Sequence, residues 1–390
     1  MQALLAFKQG LVDDDNRLLS WGREVQNKDC CQWAGVYCSN HTGHVVKLDL
    51  GYESLQGTIS PKLFELHQLE YLNLGFNNFN GSSIPDYFGN MSSLAYLTLS
   101  GSRLKGGIPN SFAKLCRLRE LHLDGNSLSG QFSDFIHILS KCAQNTLEIL
   151  DISMNHGFMG SVPDLTNFLS LKYLLLKGNK LSGRIPENIG QMSKLELESI
   201  MLRSCKMGPS FPKWLQTQKK VLFLDISDNG ITDTLPSWLS HGLYSMDISQ
   251  NQIRGTLGNW KSPFPPQLNV SWNQLEGPIP SMLSEIYLLL DLDLSHNKFS
   301  VAAASFLCTT KDSSLTFLDI SSNHIFGELP DCWIHLKELV FLDLSNNSLS
   351  GKIPTTMGYL FKIETLRLNN NGFVGELPSQ FKNCRNLTLF

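Results

Sequence analysis

Leucine residues recur along the chain in the pattern LxxLxLxxNxLxG, which predicts a short strand that ends in a turn. Residues 69–77, LEYLNLGFN, are a clear copy, and residues 171–179 and 339–347 are others. Successive side chains of a strand point to opposite faces, so the leucines should point inward and the residues between them outward. A single strand of this kind cannot bury its apolar face alone, which predicts that the copies stack side by side.

The asparagine position of the pattern returns fourteen times, at steps of 22 to 29 residues, and eleven of these positions hold Asn. The positions are Glu53, Asn77, Ser102, Asn126, Asn155, Asn179, Cys205, Asn229, Asn251, Asn273, Asn297, Asn323, Asn347 and Asn371. So regular a step predicts a repeat solenoid of the α/β class, in which parallel strands share one continuous core. We interpret the asparagines as structural, because an amide turned inward at the bend satisfies backbone groups that leave the ladder.

The second half of each repeat carries Gly-x-Ile-Pro or a relative of it. Glycine permits a turn that a Cβ atom would obstruct, and proline fixes φ in a segment outside the central ladder. The complete unit, LxxLxLxxNxLxGxIPxxLgxL, resembles the plant-specific class of leucine-rich repeats. That resemblance implies a right-handed superhelix with the parallel β-sheet on its concave face.

The N-terminal segment differs from the repeats and predicts a cap. Residues 2–21 have the apolar spacing of an amphipathic helix, and residues 30–38, CCQWAGVYC, follow it. This arrangement resembles the N-terminal cap of plant leucine-rich-repeat receptors and polygalacturonase inhibitors, and such a cap covers the apolar edge of the first repeat. We predict a cap at 1–43, a solenoid of fourteen repeats at 44–386, and the start of a further, truncated repeat at 387–390.

Composition favours an extracellular protein that does not bind nucleic acid. The net charge is −3 and 17% of residues are charged, so no basic surface for a phosphate backbone is expected. Asn-x-Ser/Thr sequences predict N-glycosylation at Asn40, Asn80, Asn90, Asn269, Asn346 and Asn386. No apolar run is long enough to span a membrane. No secretory signal precedes the fold at Met1, so we expect that a signal was removed or that the sequence begins late.

Six of the nine cysteines form neighbouring pairs, of which the repeat frame places two pairs and the third lies in the cap. The predicted disulfides are Cys31–Cys38, Cys116–Cys142 and Cys308–Cys332. The last two pairs fall on adjacent convex turns, whereas the first resembles the family's short cap bridge. Three disulfides favour an oxidising compartment.

Three cysteines have no such neighbour. Cys205 fills an asparagine position inside the stack and needs no partner. Cys30 resembles the family residue that pairs with a cysteine upstream of the cap helix, and Cys384 should face a repeat beyond residue 390. We expect mixed or intermolecular disulfides at Cys30 and Cys384 in a secreted chain.

Catalytic and metal-binding motifs are absent from the sequence, which predicts a non-catalytic protein with no cofactor and no metal. There is no Gly-rich phosphate loop, HExxH or GxSxG sequence. Cys30, Cys31, Cys38 and a nearby His have the donor types of a zinc site, but a cap disulfide is the better interpretation. Asp291 and Asp293 could suggest a glycosidase pair, yet Asp recurs at this strand position in several repeats.

The outward-facing strand positions are the expected binding face, because they converge on the concave side while the leucines hold the solenoid together. Aromatic and charged side chains on a rigid strand are typical contact anchors. The candidate ligand-binding residues are Tyr71, Phe76, Tyr96, Arg119, His122, Tyr173, Arg203, Phe223, Tyr244, Trp272, Phe317 and Phe341.

Charge is distributed unevenly along this face. Repeats 4 to 7 mix acidic and basic side chains, whereas repeats 8 to 13 carry Asp residues with no basic residue, interleaved with aromatic rings. An acidic ladder favours a cationic partner. The Leu-Asp-Leu-Ser sequence is also common in this repeat class and could serve folding alone, so both interpretations stay open.

The chain resembles the ectodomains of plant receptor-like proteins, especially the ethylene-inducing xylanase receptor group. Residues 3–8 (ALLAFK), the cap segment, residues 118–130 (LRELHLDGNSLSG) and the paired convex cysteines carry the resemblance. It implies a cell-surface immune or developmental receptor that binds a protein or peptide ligand, with a microbial glycosidase as one candidate, and signals through a co-receptor kinase. The alternative is a secreted inhibitor of cell-wall-degrading glycosidases, similar to the polygalacturonase inhibitors.

Overall fold

A computed structural model of the chain describes residues 1–22, 29–183, 197–239, 242–257, 265–279, 289–307 and 313–388. The chain divides into two compact units, Met1–Lys206 and Met207–Phe390. In each unit the leucine pattern forms short strands that pair in parallel from one repeat to the next. The predicted leucine-rich-repeat architecture with a parallel sheet is therefore confirmed in each unit.

The first unit is built on a ladder of strands, one from each successive repeat. In chain order its strands are β1 (Leu11–Val12), β2 (Val36–Cys38), β3 (Val45–Asp49), β4 (Gln56–Gly57), β5 (Tyr71–Asn73), β6 (Tyr96–Thr98), β7 (Lys105–Gly106), β8 (Glu120–His122), β9 (Ser127–Gln131), β10 (Ile149–Asp151), β11 (Gly157–Gly160), β12 (Tyr173–Leu175), β13 (Lys180–Leu181) and β14 (Ser199–Met201). The ladder runs β2, β3, β5, β6, β8, β10, β12, β14, and its pairs are parallel except the antiparallel first pair. Strands β7, β9, β11 and β13 form a second, lateral sheet.

The second unit repeats this plan. Its strands are β15 (Phe223–Asp225), β16 (Ser245–Asp247), β17 (Arg254–Gly255), β18 (Gln267–Asn269), β19 (Gln274–Gly277), β20 (Asp291–Asp293), β21 (Lys298–Phe299), β22 (Phe317–Asp319), β23 (Phe326–Glu328), β24 (Phe341–Asp343), β25 (Ser348–Gly351), β26 (Thr365–Arg367) and β27 (Gly372–Phe373). Strands β15, β16, β18, β20, β22, β24 and β26 form its parallel ladder. The lateral sheets are β17-β19-β21 and β23-β25-β27.

Short helices return the chain from one strand to the next. The α-helices are α1 (Gln2–Gln9), α2 (Phe132–Ser140) and α3 (Ala304–Leu307). The 3₁₀ helices include Cys30–Gln32, Pro61–Glu65, Asp86–Asn90, Asn110–Lys114, Ala143–Asn145, Lys213–Thr217, Trp333–Leu336, Thr355–Tyr359 and Ser379–Asn383. None of the helices in the described ranges has the length and hydropathy needed to cross a lipid bilayer.

The central leucine of each ladder strand lies in the core. Leu72, Leu97 and Leu121 have no exposed surface, while the residues on either side of each leucine stay partly accessible. Burial of one such side chain stabilises the fold by about 1.5–3 kcal/mol. The alternation therefore fixes the strand register and leaves the flanking residues on one outward face.

The buried asparagines tie each repeat to its neighbour, as the sequence predicts. Asn77 is 5% exposed. Its Oδ1 accepts a hydrogen bond from the Leu55 backbone N–H at 2.8 Å, and its Nδ2 donates to the carbonyls of Leu50 at 2.7 Å and Leu74 at 3.0 Å. Where the position holds Ser102, the hydroxyl donates to the Leu74 carbonyl at 2.9 Å. The position is thus filled by groups that satisfy buried backbone atoms.

Every repeat leaves its strand through a residue in the left-handed conformation, immediately before the asparagine position. We call these residues the turn column, and their φ angles lie between 52° and 69°. They are Tyr52, Phe76, Gly101, Gly125, Met154, Gly178, Ser204, Asp228, Gln250, Trp272, His296, Ser322, Asn346 and Asn370. The left-handed conformation costs an L-residue about 1–2 kcal/mol, so the repeat register holds large side chains in a conformation that they disfavour.

The cap helix is shorter than the sequence predicts. The helix expected over residues 2–21 ends at Gln9, because β1 follows it and pairs antiparallel with β4. The Asp13 carboxylate then accepts hydrogen bonds from the backbone N–H groups of Arg17 and Leu18, which holds a turn in place of further helix. Leu18 is nevertheless buried, and Leu19, expected on the same apolar side, is exposed.

Candidate ligand-binding face

In each unit, the ladder face comprises the outward-facing residues of that unit's ladder strands, the residues that adjoin those strands, and its turn-column residues. The twelve candidate ligand-binding residues lie on the ladder faces of the two units, and each keeps accessible surface. Arg119, Phe76, Tyr244 and Trp272 are exposed, and the other eight are half-buried. The positions that the leucine pattern predicts to face outward are therefore accessible to solvent in the folded chain.

Aromatic rings cluster on the ladder face of the first repeats. Tyr71 and Tyr96 are neighbours on β5 and β6, with ring centroids 5.9 Å apart. In the turn column, Tyr52 and Phe76 stack at 4.2 Å with an interplanar angle of 11°. Tyr52 is 70% exposed and Phe76 45% exposed, so the stacked pair presents its apolar surface to solvent.

A lysine lies within this aromatic cluster and is already neutralised. The Lys47 ammonium is 4.2 Å from the centroid of the Tyr71 ring and 5.0 Å from that of Tyr37. It also forms an ion pair with Asp49 at 3.2 Å. A cation held over two rings and paired with a carboxylate stiffens the cluster and adds little net charge.

Several of the charged side chains in repeats 4 to 7 are paired with one another. Glu148 accepts from Lys172 at 2.9 Å and from Arg119 at 3.2 Å. The hydrogen bond from Lys172 is the main cause of a lowered pKa at Glu148. The Tyr173 hydroxyl donates to Glu198 at 2.9 Å. Two of the candidate residues, Arg119 and Tyr173, are therefore held in place by contacts within the ladder face.

A histidine and two aspartates meet beside this charged strip. One ligand atom each from His122, Asp124 and Asp151 lies within 4.8 Å of the other two. Burial raises the pKa of Asp151, and the charge of neighbouring Asp124 adds to the effect. Sequence reasoning named His122 but missed this grouping, because Asp151 joins it from the next repeat.

Among the described residues of the second unit, three aromatic pairs lie on the ladder face. Phe223 and Tyr244 have ring centroids 5.6 Å apart. Phe317 and Phe341 stack at 4.4 Å, and the Arg367 guanidinium lies 5.8 Å from the Phe341 ring. The third pair, in the turn column, is Trp272 stacked on His296 at 3.6 Å. The candidate aromatics are thus paired rather than isolated.

The aspartates of repeats 8 to 13 have a structural role. Oδ1 of Asp293 accepts from the Ser295 backbone N–H at 3.0 Å and from its hydroxyl at 2.7 Å. Asp319 accepts in the same way from the Ser321 backbone N–H at 2.9 Å. Burial, together with the charges of Asp293 and Asp343, raises the pKa of Asp319 to about 6. The geometry favours the folding interpretation of this Asp series.

Two of the predicted disulfides are present, Cys31–Cys38 and Cys116–Cys142. Cys308 lies outside the described residues, so the geometry of Cys308–Cys332 is not described, although Cys332 is disulfide-bonded. Cys30 and Cys384 form no disulfide within the described chain. Intermolecular disulfides at these two positions stay a prediction.

The glycosylation positions differ in their surroundings. Asn40, Asn80, Asn90 and Asn386 are exposed positions away from the ladder strands. Asn269 and Asn346 lie on the ladder face, where Asn269 accepts from the Ser271 hydroxyl at 2.7 Å. Glycans at these two positions would project over the candidate ligand-binding surface.

Sequence reasoning missed several members of the ladder face. Lys47, Tyr52 and His296 contact the predicted residues Tyr71, Phe76 and Trp272 but were not predicted themselves. Tyr37, which was not predicted either, contacts Lys47. The signal for Tyr52 and His296 is their place immediately before the asparagine position, which Phe76 and Trp272 share. Candidate contact residues of this repeat therefore lie in the turn column as well as on the strand.

Sequence profiles of leucine-rich-repeat families match both units. The profile of the Leucine rich repeat N-terminal domain matches residues 1–39. Two Leucine rich repeat profiles match residues 82–128 and the segments 68–91, 170–192, 220–241, 314–336, 338–360 and 362–384.

Plant receptor-like proteins are similar to parts of the chain. Receptor-like protein EIX1 of Solanum lycopersicum is 34% identical over 216 residues, which cover 52% of this chain and 21% of that protein. Receptor-like protein EIX2 of the same species is 44% identical over 121 residues, covering 28% and 12%. Receptor-like protein 6 of Arabidopsis thaliana is 31% identical over 266 residues, covering 61% and 26%. The chain thus spans about a quarter or less of the length of these relatives.

Solved plant ectodomains share the fold. A TDR receptor structure has a TM-score of 0.70 at 24% identity, covering 88% of this chain and 62% of that one. The ectodomain of the Arabidopsis receptor kinase HAESA, in complex with an IDA peptide hormone ligand, has a TM-score of 0.70 at 24% identity, covering 100% and 76%. The chain belongs to the leucine-rich-repeat proteins, and its relatives by sequence include plant receptor-like proteins.

Proposed function

We propose that this chain is part of the non-catalytic, extracellular ligand-recognition region of a plant cell-surface receptor-like protein. It binds a protein or peptide ligand on the ladder face, and a secreted microbial glycosidase is the first candidate. The similarity to receptor-like proteins and to an ectodomain solved with a peptide hormone supports this proposal. A co-receptor kinase would carry the signal onward.

The observation that carries the proposal is the set of paired, accessible aromatic rings on the ladder strands and in the turn column. Aromatic anchors at interfaces contribute large apolar contact areas with little loss of side-chain freedom. Stacking holds pairs such as Tyr52–Phe76 and Phe317–Phe341 in one orientation before a ligand arrives. Preorganisation of this kind lowers the entropic cost of binding.

The charged groups of the face predict a weakly salt-dependent interaction. In the first unit Glu148 is neutralised by two cations, and in the second unit Asp293 is engaged by Ser295. Because Glu148 and Asp293 are satisfied within the chain, contacts to the ligand rest mainly on aromatic and shape complementarity. We expect the affinity to change little with ionic strength, in contrast to an electrostatically steered pair.

The test compares binding of a fungal xylanase and a polygalacturonase to the secreted chain by surface plasmon resonance. Substituting Phe223, Tyr244 and Phe317 together by Ser should weaken binding of the recognised enzyme by at least about 10-fold, because interface hot spots contribute about 2 kcal/mol or more each. The matched control is Phe361→Ser, which removes an exposed ring of the same unit outside the ladder face.

The outcomes separate the two functions. Binding lost in the triple variant and kept in the control supports recognition on the ladder face. Full binding by the triple variant contradicts it. Inhibition of polygalacturonase turnover by the chain, without xylanase binding, would favour the glycosidase-inhibitor alternative.

A further inference from the structure

The cluster of His122, Asp124 and Asp151 has the donor set of a metal site, and only His122 among the three is a candidate ligand-binding residue. His122 lies on β8, Asp151 lies on β10, and the two residues are register partners in the ladder. Asp124 follows β8 by two residues, and one ligand atom from each of the three residues lies within 4.8 Å of the others. We infer that this cluster binds a divalent transition-metal ion of the Zn²⁺ class.

The three side chains are held in position by neighbouring groups. The Ser100 hydroxyl donates to Oδ1 of Asp124, and the Ser153 backbone N–H donates to Oδ1 of Asp151 at 2.9 Å. Both contacts hold a carboxylate through its Oδ1 atom. A Glu120 oxygen lies 3.5 Å from Nε2 of His122. A carboxylate beside an imidazole is the common support of a metal-binding histidine, since it fixes the ring orientation and tautomer.

The charge of the cluster also calls for a cation. Among the described residues, no Lys or Arg forms an ion pair with Asp124 or Asp151, and the nearby Arg119 and Lys172 are engaged by Glu148. Two partly buried carboxylates side by side repel each other, and a divalent ion between them would offset that repulsion.

The donor types select the class of metal. One imidazole nitrogen with two carboxylate oxygens suits Zn²⁺ and related transition ions, whereas Ca²⁺ takes six to eight oxygen ligands. Three protein ligands leave a coordination position open to water, the arrangement of an accessible zinc site. The second cluster of metal-ligating types, Asp29 with Cys30 and Cys31, is a poorer candidate because Cys31 is oxidised in a disulfide.

The test is isothermal titration of the purified, tag-free chain with ZnCl₂ at neutral pH, after dialysis against a chelator. The site predicts one saturable Zn²⁺ per chain. His122→Ala and Asp124→Asn should each weaken its affinity by at least about 10-fold, the lower end of the loss seen when a supporting residue is removed. Asp49→Asn is the matched control, since it removes a ladder-face carboxylate outside the cluster and should leave the affinity unchanged.

Absence of saturable binding overturns the inference, as does stoichiometric binding that survives both cluster variants. Thermal melting without metal checks that each variant folds, and His122→Gln replaces His122→Ala if the smaller side chain unfolds the repeat. Co²⁺ provides a second readout, because an absorption band of a nitrogen- and oxygen-ligated ion should appear in the parent chain and be lost in both cluster variants. Xylanase binding is a separate measurement, so failure of the metal site leaves the receptor proposal to its own test.

Discussion

At the bend of eleven repeats, an asparagine side chain forms hydrogen bonds with buried backbone atoms. Asn251 is an example: its Oδ1 accepts from the backbone N–H groups of Asn229 and Ile231, both at 3.0 Å. Its Nδ2 donates to three carbonyls, including that of Ile248 at 3.0 Å. One side chain thus satisfies five backbone atoms in two repeats, whereas the smaller Ser102 at the same position donates to two carbonyls and an apolar residue could satisfy none.

Asn251→Ala should destabilise the chain by about 2–4 kcal/mol, because several buried backbone groups lose their partners at once. Asn179→Ala is the matched comparison. Within the described residues, Oδ1 of Asn179 has no hydrogen-bond partner, so fewer groups are orphaned by its removal. Urea unfolding of both variants measures the difference. Equal losses at the two positions would contradict the hydrogen-bond account.

A second residue-scale prediction concerns Asp319, whose pKa is raised to about 6 chiefly by burial. An acid with a raised pKa binds its proton more tightly in the folded than in the unfolded state. Its contribution to stability is therefore greatest below pH 4 and is lost as the pH rises through 6. Asp319→Asn removes this titration, and Asn269 shows that Asn fits the same strand position.

Relative to the parent chain, Asp319→Asn should gain on the order of 3 kcal/mol of unfolding free energy between pH 4 and pH 8. The substitution creates an Asn-x-Ser sequence, so the protein should be made in the bacterial periplasm, which adds no N-glycan. Denaturant melts across the pH range give the measurement. A difference that stays constant with pH would show that Asp319 ionises normally.

At the scale of the element, the turn column shows how backbone and side chain constrain each other between repeats. A Cβ atom on Gly101 would lie 2.8 Å from the Phe76 ring, and the φ of Gly101 is +58°. The glycine therefore does two things: it adopts a left-handed turn and leaves room for the ring stacked beside Tyr52.

Gly101→Ala should cost more than the about 1–2 kcal/mol expected for the left-handed backbone alone, because the new methyl group displaces Phe76. Gly43→Ala in the same unit is the matched control. Gly43 has a φ of +67° and no atom within 4 Å of its added Cβ, so it reports the backbone cost without the clash. If thermal melts show the same loss for both variants, the ring does not depend on Gly101.

The cap shows the limit of periodicity at this scale. Apolar spacing predicts one helix over residues 2–21, yet α1 ends at Gln9. Apolar spacing carries no information about the pairing of Leu11 with Gly57, a residue 46 positions away. It also does not predict the local turn that the Asp13 carboxylate closes. The helix therefore ends at Gln9, where pairing with β4 and the turn at Asp13 replace further helical turns.

At the scale of the whole molecule, the repeat is what makes the fold predictable. Because the repeat returns after a nearly constant number of residues, Leu72 lies beside Leu97 and the asparagines are in register. The strands, the core and the ladder face therefore follow from the spacing alone. Specific side-chain pairs do not follow from spacing. Such contacts depend on the rotamers that side chains of neighbouring repeats adopt. Examples are the contacts of Glu148 with Arg119 and Lys172, and the approach of Asp151 to His122. The candidate face could therefore be predicted as a surface, but not as a set of interacting groups.

The most direct measurement of the central claim places a glycan on the ladder face and measures xylanase binding. Thr98→Asn and Asp293→Asn each create an Asn-x-Ser sequence at a ladder-strand position, where Asn73 and Asn269 show that Asn fits. Asp164→Asn creates an Asn-x-Thr sequence outside the ladder strands and is the control. Mass spectrometry confirms that each new glycan is attached.

If the ladder face is the ligand-binding surface, at least one ladder-face glycan should abolish binding. The control glycan should leave the dissociation constant within about twofold of the parent chain, because a bulky surface glycan away from the interface adds no steric block. Unchanged binding with glycans at both position 98 and position 293 would contradict the account.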